Sequence, residues 1–292
     1  MKRGKSRRLF KKKKSHSNQR LGCIIAIIVL IPICYGLYLY YQQYSVQHSS
    51  KPQIETSVSL PTPSGKDLEI PVSLIPRQEQ IIRHKGYTVS YNKDLKIPNW
   101  VSYELTRQET KGKEKRGDNF IADPLGKGAI ATNADYARSG YDKGHMAPAA
   151  DMKWSPDVMK ESFYFSNMCP QHPQLNRRGW KRGKKKKREG AVADSAIIII
   201  CGPIIDKPSK TIGKNKVAVP ERFFKVILSP FVKPARGIGF LFNNRQAVEP
   251  LSTYAVSIDS IEKLTHMDFF SPLPDEIENA VEANADYYQW PR

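Results

Sequence analysis

Cysteine is scarce: four residues in 292, too few for a disulfide scaffold. No C-x-x-C, H-x-H or H-E-x-x-H occurs, so a zinc site has no ligand pattern to rest on. G-x-S-x-G and the Walker A sequence are missing too, which removes the common hydrolase and nucleotide-binding signatures. The 21 prolines and 18 glycines follow no period, so a collagen-like or repeat array is excluded. Acidic residues are absent from two stretches. Residues 1–20 hold ten Lys and Arg, residues 177–188 hold nine, and together they account for the whole net charge of +19. The remainder is neutral and, in a chain that is 40% hydrophobic and 26% charged, has the composition of a folded protein.

Between the first basic run and the rest lies Leu21 to Tyr41, without a formal charge. A helix of that length rises ~1.5 Å per residue and spans a hydrocarbon core of roughly 30 Å. Ten cations before it and none directly after orient its N-terminus to the cytoplasm, and tyrosines gather at its far end. A cleaved signal peptide is the competing reading, but no A-x-A site follows Tyr41. The sequence thus predicts a basic cytoplasmic segment (1–20), a transmembrane anchor (21–41), a Pro/Ser-rich tether (42–85) and a folded domain (86–292). That domain would be extracytoplasmic, periplasmic if the source is a Gram-negative bacterium.

In the folded part, Asn99 to Leu105, Ser195 to Ile205, Phe223 to Leu228 and Ile238 to Phe242 read as strands, and Glu161 to Asn167 as a strand or its approach. The continuous β-branched run at 195–205 predicts a strand buried on both faces. Pro156 to Glu161, the stretch from about Gln174, Ile258 to Leu264 and Glu276 to Asn284 read as helices. The expectation is an α+β domain around an antiparallel sheet. Cys169 and Cys201 are read first as small buried residues.

Three clusters carry chemistry-bearing side chains in order: Asp142-Lys143-Gly144-His145, Ser166-Asn167-Met168-Cys169-Pro170-Gln171, and Asn176-Arg177-Arg178-Gly179-Trp180. With the upstream stretch Arg116 to Pro124 and the downstream Thr265 to Phe270, they resemble the DNA/RNA non-specific endonucleases, the ββα-metal (His-Me finger), endonuclease G-like family. The resemblance implies His145 as general base, a task suited to a side chain titrating near neutral pH. It implies Asn176 as the ligand of Mg²⁺ or another divalent cation, Arg116 as the phosphate-holding residue, and Asn167 as a further member of the catalytic set. Asp142, Gln171 and Arg188 would support the site. Lys143, Arg177, Arg178, Lys181 and Arg182 would bind the DNA and/or RNA backbone without reading sequence. The oligomeric state is left open, a homodimer being one option.

One position departs from the family pattern. Eight residues after the asparagine the family has a glutamate holding metal-bound water, and here Lys184 stands there, after Gly183. A cation beside a dication is unfavourable, and like charges at 181/185 and 182/186 weaken the helix. Two functions therefore stay open on sequence alone: a metal-dependent endonuclease, and a catalytically impaired, membrane-tethered relative that only binds nucleic acid.

Overall fold

The computed structural model describes residues 65–179, 189–205 and 210–290, with backbone alone for 65–66 and 178–179. The predicted basic segment, the anchor at 21–41, and the side chains of Arg178, Lys181, Arg182, Lys184 and Arg188 lie outside these residues. Among the described residues no helix is long and apolar enough to cross a membrane.

The chain runs α1 (Gly65–Leu68), β1 (Val72–Ser73), β2 (Gln80–Arg83), β3 (Thr88–Asn92), β4 (Ile97–Thr106), α2 (Asn133–Tyr136), β5 (Asp142–His145), α3 (Pro156–Glu161), β6 (Met168–Gln171) and β7 (Ala196–Ile204). After it come β8 (Thr211–Ile212), β9 (Val217–Ala218), β10 (Arg222–Ser229), β11 (Arg236–Asn243), β12 (Ala255–Val256), α4 (Ile258–Thr265), β13 (Met267–Asp268) and α5 (Asp275–Glu282). Seven strands form an antiparallel sheet in the order β12-β11-β10-β7-β4-β3-β2. The expected α+β architecture is what the described residues form.

β7 shows why the sheet is two-sided. Ile197, Ile199 and Cys201 join one apolar cluster, while Ile198, Ile200 and Ile204 join another. Successive strand residues point to opposite faces, so an unbroken run of Ile supplies both cores at once. On the first face sit Met146, Ala147, Met168, Cys169 and Leu175, the apolar backing of the three motifs. On the second lie Ile258 and Ile261 of α4 and Val281 of α5. The helices approach β11 closely because Gly237 and Gly239 face them: a Cβ there would stand 2.5 Å from the Val281 carbonyl oxygen and 2.6 Å from Ile261 Cδ1. Cys169 and Cys201 are buried thiols, as read, not a disulfide.

One expectation is corrected. The folded region begins before Gly86: Leu68 is fully buried, β1 pairs with β13, and β2 is the edge strand of the sheet. The Pro/Ser-rich composition of this stretch conceals a four-residue strand too short to show a period. Glu161 to Asn167, read as a strand or its approach, is the approach to β6. It is the end of α3 followed by a 3₁₀ turn at Phe165–Asn167, bridged to the main chain at Ile121.

Candidate active site

The D-K-G-H segment is β5, and it pairs antiparallel with β6, setting Asp142 opposite Gln171 and His145 opposite Met168. The chain then turns into a short helix of π character, Leu175–Gly179, which carries Asn176. Gly144 is required by close approach, since a Cβ there would lie 2.6 Å from Gln171 Cβ and Oε1. Packing Gln171 over a bare Cα is what lets the two strands carry these motifs side by side.

Asp142 ties the ribbon to the helix. Its carboxylate accepts from Asn176 Nδ2 at 3.1 Å, from Arg177 Nε at 3.0 Å and from the Arg177 guanidinium again at 2.8 Å. This two-point pairing raises the pKa of Arg177 further, through the hydrogen bond first and the charge of Asp142 second. Because the Asn176 amide donates through nitrogen, its Oδ1 is the atom left to accept or ligate.

His145 is 4% exposed and sits between two phenyl rings, edge-on to Phe163 at 5.0 Å between centroids and to Phe120 at 5.6 Å. Phe163 also carries the Arg116 guanidinium on its face at 5.5 Å, so Arg116 and His145 share one aromatic plate. Lys143 Nζ lies 4.1 Å from the Phe120 centroid and donates to Asn133 Oδ1 at 2.7 Å. Partial burial lowers its pKa. A cavity of about 440 Å³ opens beside the ribbon, lined by Phe120, Asn133, Tyr141, Asp142, Lys143 and Asn176 among others.

The stretch from Arg116 to Asp123 is held in place from below. Ile121 hydrogen-bonds across to Phe163 and Phe165. Asp123, buried, takes a 2.8 Å bond from His84 Nε2 and a 2.5 Å bond from the Ser166 hydroxyl. Burial pushes this carboxyl up, and the bonds from His84 and Ser166 outweigh that and hold it below the usual range.

Two motif residues differ from their expected parts. Asn167, expected in the catalytic set, is fully buried: its Oδ1 accepts from the Ala147 amide at 2.8 Å, and its Nδ2 donates to the Ala147 and Ser162 carbonyls, both at 2.8 Å. Fully buried, with both N–H donors and its oxygen bonded to backbone, it positions the segment after His145 and is not open to substrate. Gln171, expected to support the site through polar contacts, is fully buried and its amide makes no hydrogen bond among the described residues. It acts by packing on Gly144. Phe120 and Phe163 are the site residues that the motif reading missed. Phe120 lay inside the upstream stretch, and only the fold shows that its ring faces the histidine.

The residues present fit a hydrated divalent cation. Asn176 offers a neutral oxygen beside the Asp142 carboxylate, and no group of three His, Cys, Asp or Glu gathers there among the described residues. A hard dication that keeps several waters needs few protein ligands. The orphaned Gln171 amide, opposite Asp142 on the paired strand, is a natural partner for ordered water.

A histidine-bearing β-ribbon stands beside an asparagine-bearing helix and is backed by an antiparallel sheet, an α+β arrangement. Residues 64–276 match the family described as DNA/RNA non-specific endonuclease, and the chain belongs to that family. It is 30% identical over 251 residues to "Nuclease" of Nostoc sp., a match covering 80% of this chain and 88% of that protein. It is 32% identical over 213 residues to human mitochondrial endonuclease G, covering 67% and 71%. A chain from the crystal structure of the EndoG/EndoGI complex superposes with a TM-score of 0.62 at 29% identity, covering 68% of this chain and 89% of that one.

Proposed function

We propose that this protein is a membrane-anchored, divalent-metal-dependent endonuclease that hydrolyses phosphodiester bonds of DNA and RNA without reading sequence. The observation that carries the proposal is the triple hydrogen bonding of Asp142, which joins residues 34 and 35 positions apart into one site with an open cavity of about 440 Å³ beside it.

In this mechanism His145 takes a proton from the attacking water as its oxygen closes on phosphorus. The P–O bond to the leaving oxygen breaks as the new one forms, and the proton is held on the imidazole. Phe120 and Phe163 fix the ring in orientation. Arg116, standing on Phe163, meets the phosphate with a planar donor. Asn176 Oδ1 would hold the cation, Mg²⁺ being the choice its hydration chemistry favours, and the ion would stabilise charge on the phosphate and leaving oxygen. Asp142 keeps Asn176 oriented and neutralises Arg177 locally. Lys143 at the cavity wall, with the basic run at 177–188, supplies a salt-sensitive footprint for the backbone. No observation among the described residues favours the binding-only alternative.

The anchor is proposed on the uncharged run at 21–41 alone. One experiment addresses both parts. Membranes from cells expressing the full chain, washed with carbonate, should digest plasmid and RNA in Mg²⁺ to a smear without discrete bands. Activity found only in the soluble fraction would remove the anchor and leave the enzyme. Intact substrates in every fraction would remove the enzyme.

A further inference from the structure

On the sheet face opposite the His145 ribbon, α4 and α5 bring acidic side chains together. Carboxylate oxygens of Asp259, Glu262 and Glu282 lie within 4.8 Å of one another, the one such trio of metal-ligating groups among the described residues. Glu282 is 6% exposed, and its Oε1 is fully buried without a hydrogen-bond partner. Glu278 on the preceding turn of α5 has an Oε1 in the same condition. Only Glu262 is partly compensated, accepting from the Phe269 amide at 2.8 Å.

The charges that raise Glu282 are carboxylates: Glu262 and Asp259 from α4, Glu278 from α5, and Asp268 from β13. Burial first, and these neighbours second, push its carboxyl up to about 9. Glu262, Glu278 and Asp268 are raised as well. Buried carboxylates facing each other without a cation cost folding free energy unless a proton or a metal compensates them.

We infer that Asp259, Glu262 and Glu282 bind a calcium ion that fastens α4 to α5, at a site separate from the catalytic cation. Oxygens within 4.8 Å of one another are close enough to share one ion that holds each at ~2.4 Å. Calcium accepts six to eight oxygens in flexible geometry, so Glu278 and water can complete the shell. The ion would be structural. Gly237 and Gly239 let the two helices rest directly on β11, which brings the acidic cluster together.

The test is thermal unfolding of the full-length protein after EDTA treatment, with and without CaCl₂, together with equilibrium dialysis against ⁴⁵Ca²⁺. At about a hundred times its Kd, calcium should raise Tm by about 5–10 °C. The shift should persist in Asn176→Ala, which removes the catalytic ligand, and vanish in Glu282→Gln with one bound ion fewer. If Glu282→Gln does not fold, Asp259→Asn on the half-buried part of the cluster serves instead. A calcium response that survives these substitutions, or one that Asn176→Ala abolishes, would overturn the assignment. So would a protein that neither binds ⁴⁵Ca²⁺ beyond the Asn176 site nor gains Tm with calcium, which would mean that protons alone neutralise the cluster.

Discussion

His145→Ala should lower the plasmid-cleavage rate by ~10²–10⁴ while leaving DNA affinity nearly unchanged, because a general base contributes roughly that factor to the chemical step and nothing to phosphate binding. The split between rate and affinity is the informative part. The imidazole is buried between Phe120 and Phe163, so its removal does not touch the charged groups at the cavity wall. Single-turnover cleavage and a filter-binding titration on the same preparation measure the two quantities. An equal loss of both would mean that the ring only supports the fold, and a fully active variant would place the base elsewhere.

Asn167→Ala should destabilise the domain by about 3 kcal/mol or more. The side chain makes three hydrogen bonds to the backbone of Ala147 and Ser162 in a fully buried setting. Truncation leaves an N–H and two carbonyls without partners, and each such group costs ~1–3 kcal/mol when water cannot reach it. That is a large part of the ~5–15 kcal/mol that holds a domain together. Equilibrium urea unfolding should show a lower midpoint with an unchanged slope. Cleavage by the folded fraction should fall too, since Ala147 lies two residues beyond His145 and loses its anchor. A variant with wild-type stability and reduced cleavage would return Asn167 to the catalytic set.

What the sequence made legible was whatever is contiguous along the chain. β7 announced itself as a two-faced core strand, because a run of five or more apolar residues ending at Gly202-Pro203 has few other uses. The three motifs were legible for the same reason, each packing its chemistry into a few residues. What escaped depends on long-range placement. Phe163 sits in an aromatic stretch that alternates like a strand, and only the fold, with the Ile121 amide donating to its carbonyl, shows its ring against His145. Asn167 looks like any catalytic amide until its partners show that backbone consumes it. Gln80 to Arg83 became a strand through pairing with β3, which a four-residue pattern among prolines does not reveal. The cluster at Asp259, Glu262 and Glu282 was invisible, because ordinary acidic helix faces look the same until two of them meet.

The central claim is that Asn176 Oδ1, oriented by Asp142, holds the ion that makes this site cleave. The most direct measurement is the nicking rate of supercoiled plasmid against Mg²⁺ concentration, for the natural protein and for Asn176→Ala at equal folded concentration. The account predicts no nicking in EDTA, a saturable rise with Mg²⁺ for the natural protein, and for Asn176→Ala either no cleavage or a demand for at least about tenfold more Mg²⁺, in line with the loss of a direct ligand. Cleavage that persists in EDTA, or identical Mg²⁺ curves for the two proteins, would contradict it.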